Sequence, residues 1–282
     1  MNTLKTWILM GVLTVILVLF GRLIGGTHGM LIFLVISVLM NFIGYWMSGT
    51  VAIMMTGSRP VSEQELPEVY AIVRRLADRA NLPMPEIYLT PSPQPNAFAT
   101  GRNPRHAKVA VTEGILQALS WRELEGVLAH EMAHIKNRDI LISSMAAMLA
   151  GVITSLADML QWVMWFGMGN RDERDNGSVI AEVVMMILAP IAATIIQLAI
   201  SRTREFKADA TGARLVGDPN PLADALERLE AYAHHIPAGV SPAASHLFIV
   251  NPLRGESLIN LFRTHPPTAE RVRRLRNMRV LG

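Results

Sequence analysis

The apolar positions of this 282-residue chain fall into four long runs that polar segments separate. The runs cover residues 6–24, 30–55, 140–165 and 179–200. About 20 apolar residues cross a bilayer as a helix, so the pattern predicts four transmembrane helices, the last kinked at Pro190. A cleaved signal peptide is the alternative for the first run, but no small-residue cleavage site follows it and a second run begins almost at once.

Two polar segments alternate with the paired apolar runs, and only the short loop 171–177 joins the third run to the fourth. An even number of crossings therefore lies between the polar segments, so both should lie on one side of the membrane and form one domain. The predicted division is a transmembrane hairpin, the first part of the domain, a second hairpin and the second part of the domain, at 1–56, 57–139, 140–200 and 201–282.

Basic residues near the ends of the runs predict the orientation. The domain side carries more of them than the other side: Lys5, Arg59, Lys136, Arg138, Arg202, Arg204 and Lys207 against Arg22, Arg171 and Arg174. Lys and Arg are enriched in cytoplasmic segments, so the domain and both termini should face the cytoplasm.

The polar segments alternate between helical and strand patterns. Helical spacing predicts a helix over 62–81, with Ser62 and Glu65 as its cap. Three short strands are predicted at 86–90, 97–100 and 108–112, with residues 101–107 closing a hairpin. Further helices are predicted at 221–235, 256–262 and 267–278. The fold class is a mainly α membrane protein with four transmembrane helices and a cytoplasmic α+β domain that contains a small sheet.

Composition agrees with a membrane protein. Hydrophobic residues make up 51% of the chain, charged residues 17%, and the mean hydropathy is +0.31, which is too apolar for an ordinary soluble domain. The net charge of +3, with basic residues not interleaved with aromatics, argues against nucleic acid as a partner. Zero cysteines exclude disulfides and thiolate sites, so any metal must be held by His, Asp or Glu.

The candidate chemistry lies in an HExxH motif at residues 130–134. On a helix, residues four apart share a face, so His130 and His134 can bind one metal ion. Glu131 lies beside that face, where it can take a proton from a water on the metal. A capping box of Ser120 and Glu123, followed by an apolar stripe, predicts the helix. The alternative is two hydrogen-bonded histidines on an ordinary helix.

A catalytic zinc usually has a third protein ligand and one open position. Apart from the other histidines, the candidates are Glu113, Glu123, Asp139, Glu205 and Asp209. Glu205 and Asp209 are four apart on a helix that continues the fourth run, so Glu205 could bind the metal while Asp209 accepts the second ring N–H of a histidine. Two crossings return His134 and Glu205 to the same membrane face. An ordinary carboxylate pair beside Arg204 and Lys207 is the alternative.

Essentially the whole chain resembles the HtpX-type integral-membrane zinc metalloproteases, which are related to the CAAX prenyl endopeptidases. The shared order is two spans, Asn96-Ala97-Phe98-Ala99, the HExxH motif, Asn137-Arg138-Asp139, two spans, Glu205 to Asp209, and His265-Pro266-Pro267 followed by Arg271. The resemblance implies a zincin-like protease domain in which His130, His134 and Glu205 hold one Zn2+ per chain and Glu131 is catalytic. It also implies a multi-pass protein of the bacterial inner membrane that acts in membrane-protein quality control under stress.

The expected reaction is hydrolysis of peptide bonds, with polypeptides, in particular membrane proteins, as substrates. Glu131 would take a proton from water and pass it to the leaving amine. His265, held by the two prolines, is a candidate donor to the oxyanion, with a packed histidine as the alternative. The strand from Asn96 to Ala99 could hold an extended substrate by strand addition, with a structural meander as the alternative. Asp158 and Glu182 lie near the ends of spans and are given no role.

Other classes of function are less consistent with these residues. A membrane-anchored binding protein with structural zinc would usually close the metal with four protein ligands and has no need of Glu131. A transporter would need polar residues in the middle of its membrane spans, and only Gln197 and Pro190 suggest such a function. The arginines of the last helix could contact anionic lipid, with a solvated charged face as the alternative: Arg271, Arg273, Arg274, Arg276 and Arg279.

Overall fold

A computed structural model describes residues 2–146, 149, 152, 155, 202–233, 249 and 266–279. Residues 140–146 are helical, as predicted for the start of the third apolar run. Most of that run, the fourth run, the loop 171–177, the predicted helix 256–262 and His265 lie outside the described residues. The four-span topology and the domain boundaries therefore stay predictions.

The first two apolar runs form one long helical element, α1 (Asn2–Met55), with a kink at Gly25 and Gly26. Gly26 has a φ of 57°, a left-handed conformation that glycine adopts without strain from a Cβ atom. The kink separates two helices that are long and apolar enough to cross a membrane, Leu4–Leu23 and Gly25–Met55. The predicted first pair of apolar helices is confirmed.

The two halves of α1 pack against each other. A Cβ atom on Gly21 would lie 2.5 Å from the carbonyl oxygen of Gly29, so the absence of side chains lets the backbones approach. The rings of Phe20 and Phe33 meet edge to face with 5.6 Å between their centroids. Many large apolar side chains of α1 stay exposed, which is the surface expected of helices that contact lipid.

A small mixed sheet follows α1, with strand order β1-β2-β4-β3. Its strands are β1 (Arg59–Pro60), β2 (Glu86–Thr90), β3 (Ala97–Thr100) and β4 (Lys108–Thr112). The three predicted strands and the antiparallel hairpin of β3 with β4 are confirmed. The pairing of β2 with β4 is parallel, so the sheet is not a simple meander. The two-residue strand β1 was not predicted, because it is too short to show alternation.

Six further helices have bounds that the structure describes. They are α2 (Pro67–Ala80), α3 (Glu113–Ala118), α4 (Trp121–Lys136), α5 (Arg202–Val216), α6 (Asn220–Ala233) and α7 (Thr268–Arg276). Helix α3 was not predicted, and α2 begins five residues later than the sequence suggested. Ser62 and Glu65 instead form a turn, because Pro67 disfavours helical backbone at Leu66 and suits the first helical position.

Helix α4 lies at the centre of the part of the structure that follows α1, between the sheet and the helices α2, α5 and α6. Its predicted apolar stripe is buried: Leu124, Val127, Leu128 and Ile135. Gly212 of α5 is pressed against α4, since a Cβ atom there would lie 2.9 Å from the backbone nitrogen of His130. Close contact of α5 with α4 therefore occurs at the HExxH motif itself.

Candidate metal centre

The helix that carries the HExxH motif begins with the predicted capping box. The Ser120 hydroxyl accepts the N–H of Glu123, and the Glu123 carboxylate accepts the N–H of Ser120 at 2.7 Å. The other carboxylate oxygen of Glu123 accepts Arg228 of α6 at 2.8 Å. Both oxygens of Glu123 are thus engaged at the far end of the helix, which removes it from the candidate metal ligands. Glu113 is exposed at the start of α3.

The structure brings His130, His134 and Glu205 together. The two Nε2 atoms are 3.2 Å apart, and each lies 3.6 Å from an oxygen of Glu205. A tetrahedral zinc 2.0–2.1 Å from its ligands would separate them by about 3.3–3.4 Å, so these distances fit one ion. Two imidazoles and one carboxylate are also a donor set that catalytic zinc uses. These three residues could therefore hold a metal ion.

Carboxylates hold the outer nitrogens of both histidines. Oδ1 of Asp209 lies 2.8 Å from Nδ1 of His130, and Oδ2 of Asp139 lies 3.3 Å from Nδ1 of His134. Such contacts keep the N–H on Nδ1 and leave Nε2 to face a metal. Asp209 has the position expected from the sequence. Asp139, considered there as a third ligand, lies instead on the outer side of His134.

Arg271 joins this cluster from α7 and is only 1% exposed. Its Nε and Nη2 donate to the two oxygens of Asp209 at 2.9 and 2.6 Å, and Nη1 donates to the carbonyl of Ile249 at 3.1 Å. The expectation that Arg271 contacts lipid or solvent is wrong. The sequence holds a signal for its burial, because Arg271 lies four residues before the buried Leu275 and so on the same helical face.

The buried charges shift the pKa values of this cluster. Burial lowers the pKa of His130, but hydrogen bonds to Asp209 and Glu205 outweigh it and raise the pKa to about 9. Burial raises the pKa of Asp209, and the guanidinium of Arg271 more than offsets this, so the pKa of Asp209 lies well below its usual range. Without a metal, His130 therefore holds a proton at neutral pH, and an ion binding at Nε2 must displace it.

Glu131 lies next to these ligands and faces the sheet. Its side chain is buried, and Oε2 accepts the backbone N–H of Ala99 at 2.8 Å. Ala99 belongs to β3, an outer strand among those the structure describes, so its N–H points away from β4 and towards α4. N–H groups alternate between the two sides of a strand, which places that of Ala97 on the same side. Sequence reasoning did not predict this contact.

The side chains of the candidate substrate strand face the protein interior. Phe98 is 3% exposed and packs against Ile53 of α1. The side-chain oxygen of Asn96 accepts the N–H of Ile249 at 3.2 Å. These side chains anchor β3, so only its backbone is available for an extended chain. His265, the predicted oxyanion donor, lies outside the described residues.

Comparison with known proteins decides the family. The model of peptidase family M48 matches residues 63–279. The chain belongs to peptidase family M48. As an M48 protein it is a metallopeptidase, and its HtpX-type relatives place it among the membrane-associated members.

Three of those relatives, each a protease HtpX homologue, show how similar this chain is to them. The one from Pelotomaculum thermopropionicum is 59% identical over 281 residues, which cover 99% of this M48 chain and all of the relative. The one from Aquifex aeolicus is 52% identical, covering 92% and 87% of the two chains. The one from Pyrococcus furiosus is 50% identical, covering 97% and 95%. The resemblance to HtpX-type proteases is confirmed along nearly the full length.

A solved structure shares the fold of this M48 chain. The crystal structure of S. mikatae Ste24p superposes with a TM-score of 0.50 at 21% identity, over 97% of this chain and 63% of that one. At this identity the similarity concerns the fold alone.

Proposed function

We propose that this protein is a zinc-dependent endopeptidase that hydrolyses misfolded or damaged membrane proteins on the cytoplasmic side of a bacterial inner membrane during stress. The observation that carries the proposal is the convergence of His130, His134 and Glu205 beside Glu131. The membrane helices of α1 would keep this cluster close to membrane-embedded substrates.

The proposed mechanism assigns each polar group a task. His130, His134 and Glu205 would hold zinc, which supplies polarisation of the substrate carbonyl and a lowered pKa of water. Glu131 takes the proton of the attacking water and passes it to the leaving amine. The N–H of Ala99 holds the carboxylate of Glu131 in place. Asp209, fixed by Arg271, keeps the tautomer of His130 that leaves Nε2 free of a proton in the loaded enzyme.

Zinc dependence is tested directly by digestion. Purified full-length chain in detergent should cleave a denatured membrane protein, lose that activity with a chelator, and recover it on addition of zinc. The same substrate in its native and its destabilised form, reconstituted in vesicles, tests the preference for damaged proteins. Unchanged cleavage in excess chelator would reject the metal-dependent mechanism.

Glu205→Ala should lose the metal, because two histidines alone leave the ion without its only carboxylate ligand. We expect a zinc content below about one tenth of that of the unaltered chain after dialysis, measured by elemental analysis. Glu227→Ala on α6 is the matched control, since Glu227 is exposed and is not among the residues that could hold the metal. A full zinc complement in Glu205→Ala would show that another carboxylate is the ligand.

Ala97→Pro should weaken cleavage through the loss of one backbone donor at the outer side of β3. Strand addition uses backbone hydrogen bonds, and proline has no N–H to give. We expect kcat/KM to fall about 10-fold, as for the loss of one hydrogen bond of about 1.4 kcal/mol, with zinc content unchanged.

Ala97→Ser is the control, because it retains the N–H and adds only a hydroxyl at this buried position. Ala99→Pro should be more severe, since it also removes the contact with Glu131. If both proline variants are folded, zinc-loaded and fully active, β3 has only a structural role.

The proposed orientation follows from the basic residues at the ends of the apolar runs. Reporters fused after Gly57, after Asn176 and at the C-terminus should indicate the cytoplasm, the opposite side and the cytoplasm. A fully inverted order would contradict the proposed cytoplasmic location. Reporters on opposite sides after Gly57 and at the C-terminus would separate the two halves of the domain.

A further inference from the structure

A cavity lies beside the candidate metal centre, between α1 and the helices that carry the centre. Its volume is about 780 Å³, and its walls come from the start and the later half of α1, the turn after β3, the turn after α4, and α5. His130, Glu131, His134 and Glu205 do not line it. Five basic side chains and one acidic side chain, Asp139, do: Lys5, Arg102, Arg138, Arg204 and Lys207. The cavity is therefore strongly positive.

Two residues that line this basic cavity carry buried donors without acceptors. Nε, Nη1 and Nη2 of Arg204 and Nδ2 of Asn137 are all buried, and within the described part of the chain none has a hydrogen-bond partner. The nearest carboxylate oxygen to Arg204, on Asp139, is 3.9 Å from Nη1. Leaving a buried donor unsatisfied costs about 1–3 kcal/mol, and more when the group is charged. Four such donors at one cavity point to a ligand rich in acceptors.

The charge of Arg204 is also incompletely compensated. The ion pair of Arg204 is the 3.9 Å contact with Asp139, and Asp139 also lies 3.3 Å from Nδ1 of His134. A guanidinium keeps its charge in proteins, so the buried charge of Arg204 calls for a bound anion to compensate it. A ligand that carries negative charge and several acceptor oxygens satisfies both requirements, and phosphate does so.

The cavity lies at the level where lipid headgroups would be. Lys5 and Trp7 come at the beginning of the first membrane helix, and Trp7 is 64% exposed. Tyr45, also exposed, lines the same cavity from the second helix. Trp, Tyr and Lys are the residues that anchor helices at the membrane–water interface. Met10 adds an apolar wall one turn further into the first span.

We propose that this basic cavity binds the phosphate group of an anionic glycerophospholipid, whose acyl chains lie along the exposed apolar surface of α1. The side chains of Arg204 and Asn137 would turn towards the cavity to donate to the phosphate oxygens, and Lys5 and Lys207 would add charge. Basic pockets beside membrane helices bind anionic headgroups in this manner. The residues that would bind the phosphate are not those that would hold the metal or move the proton, and Asp139 lies between the two sites, next to both His134 and Arg204.

The test uses the full-length chain in an uncharged detergent, titrated with phosphatidylglycerol, phosphatidylcholine or inorganic phosphate. Binding is followed by the rise in melting temperature and by native mass spectrometry. We expect saturable binding of phosphatidylglycerol only. Arg204→Gln and the double variant Lys5→Gln/Lys207→Gln should each weaken it about 10-fold or more. The double variant keeps the test decisive if Arg204→Gln fails to fold.

The matched control is Arg105→Gln/Lys136→Gln, which removes the same charge from two exposed residues that do not line the cavity. It should bind phosphatidylglycerol within about twofold of the unaltered chain. Equal weakening in both double variants would overturn the site in favour of general attraction to negative charge. Equal binding of phosphatidylcholine, or of inorganic phosphate alone, would overturn the anionic lipid as the ligand. Binding of an acidic peptide but not of lipid would overturn it too.

Discussion

Glu131→Gln should slow the hydrolysis of a denatured polypeptide by about 10²–10⁴-fold, the usual contribution of a positioned general base. Glutamine has the same size and keeps an oxygen that can accept the N–H of Ala99, so the helix and the metal ligands should stay in place. What it loses is the ability to accept a proton from water. The effect should therefore appear in kcat/KM, while zinc content stays near that of the unaltered chain.

Glu125→Gln is the matched control on the same helix. Glu125 pairs with Arg75 at 3.1 Å and lies more than one turn before His130, so activity should be nearly unchanged. Measuring both variants for zinc content and cleavage on one preparation separates chemistry from folding. If Glu131→Gln still cleaves at the rate of Glu125→Gln, another group takes the proton.

Arg271→Met should lower the stability of the fold substantially. The change leaves the carboxylate of Asp209 buried without its guanidinium, and removing one partner of a buried ion pair costs about 3–5 kcal/mol. For a chain of this size the melting temperature should fall by about 6–20 °C. Because Asp209 then no longer holds His130 in a fixed orientation, zinc should bind about 10–100-fold more weakly.

Arg273→Met provides the comparison, two residues further along the same helix. Arg273 is exposed, and its replacement should change stability by no more than about 0.5 kcal/mol. A double variant of Arg271→Met with Asp209→Asn should recover part of the lost stability, since it removes the buried charge as well. Equal melting temperatures and zinc affinities for Arg271→Met and Arg273→Met would contradict the positioning role.

Local features of the sequence predicted the elements that carry the site. The apolar length of residues 6–24 and 30–55 indicated two membrane helices, and Gly25 and Gly26 supply the break between them. Ser120 and Glu123 marked the start of α4, because both partners of a capping box lie within four residues. Strand bounds also followed, since alternation and turn residues are properties of short segments.

Pairing partners did not follow from the sequence. β2 lies parallel to β4 while β3 occupies the outer position, although the chain passes through β3 between them. A strand pattern shows which face is buried but not which strand lies beside it. Helix α2 starts at Pro67 and not at residue 62. The local cap of Ser62 and Glu65 favours the earlier start, but proline restricts the backbone of the residue before it.

The sequence by itself determined the chemistry of this protein: an HExxH pair on a capped helix, carboxylates spaced for a helix face, and apolar runs of membrane length. Only the tertiary structure decided the surroundings of that chemistry. Arg271 meets Asp209 across 62 positions, and its burial depends on α7 packing against α5. The contact of Ala99 with Glu131 involves a backbone N–H that almost every residue has. Long-range packing sets such contacts, so no local pattern of side chains could have predicted them.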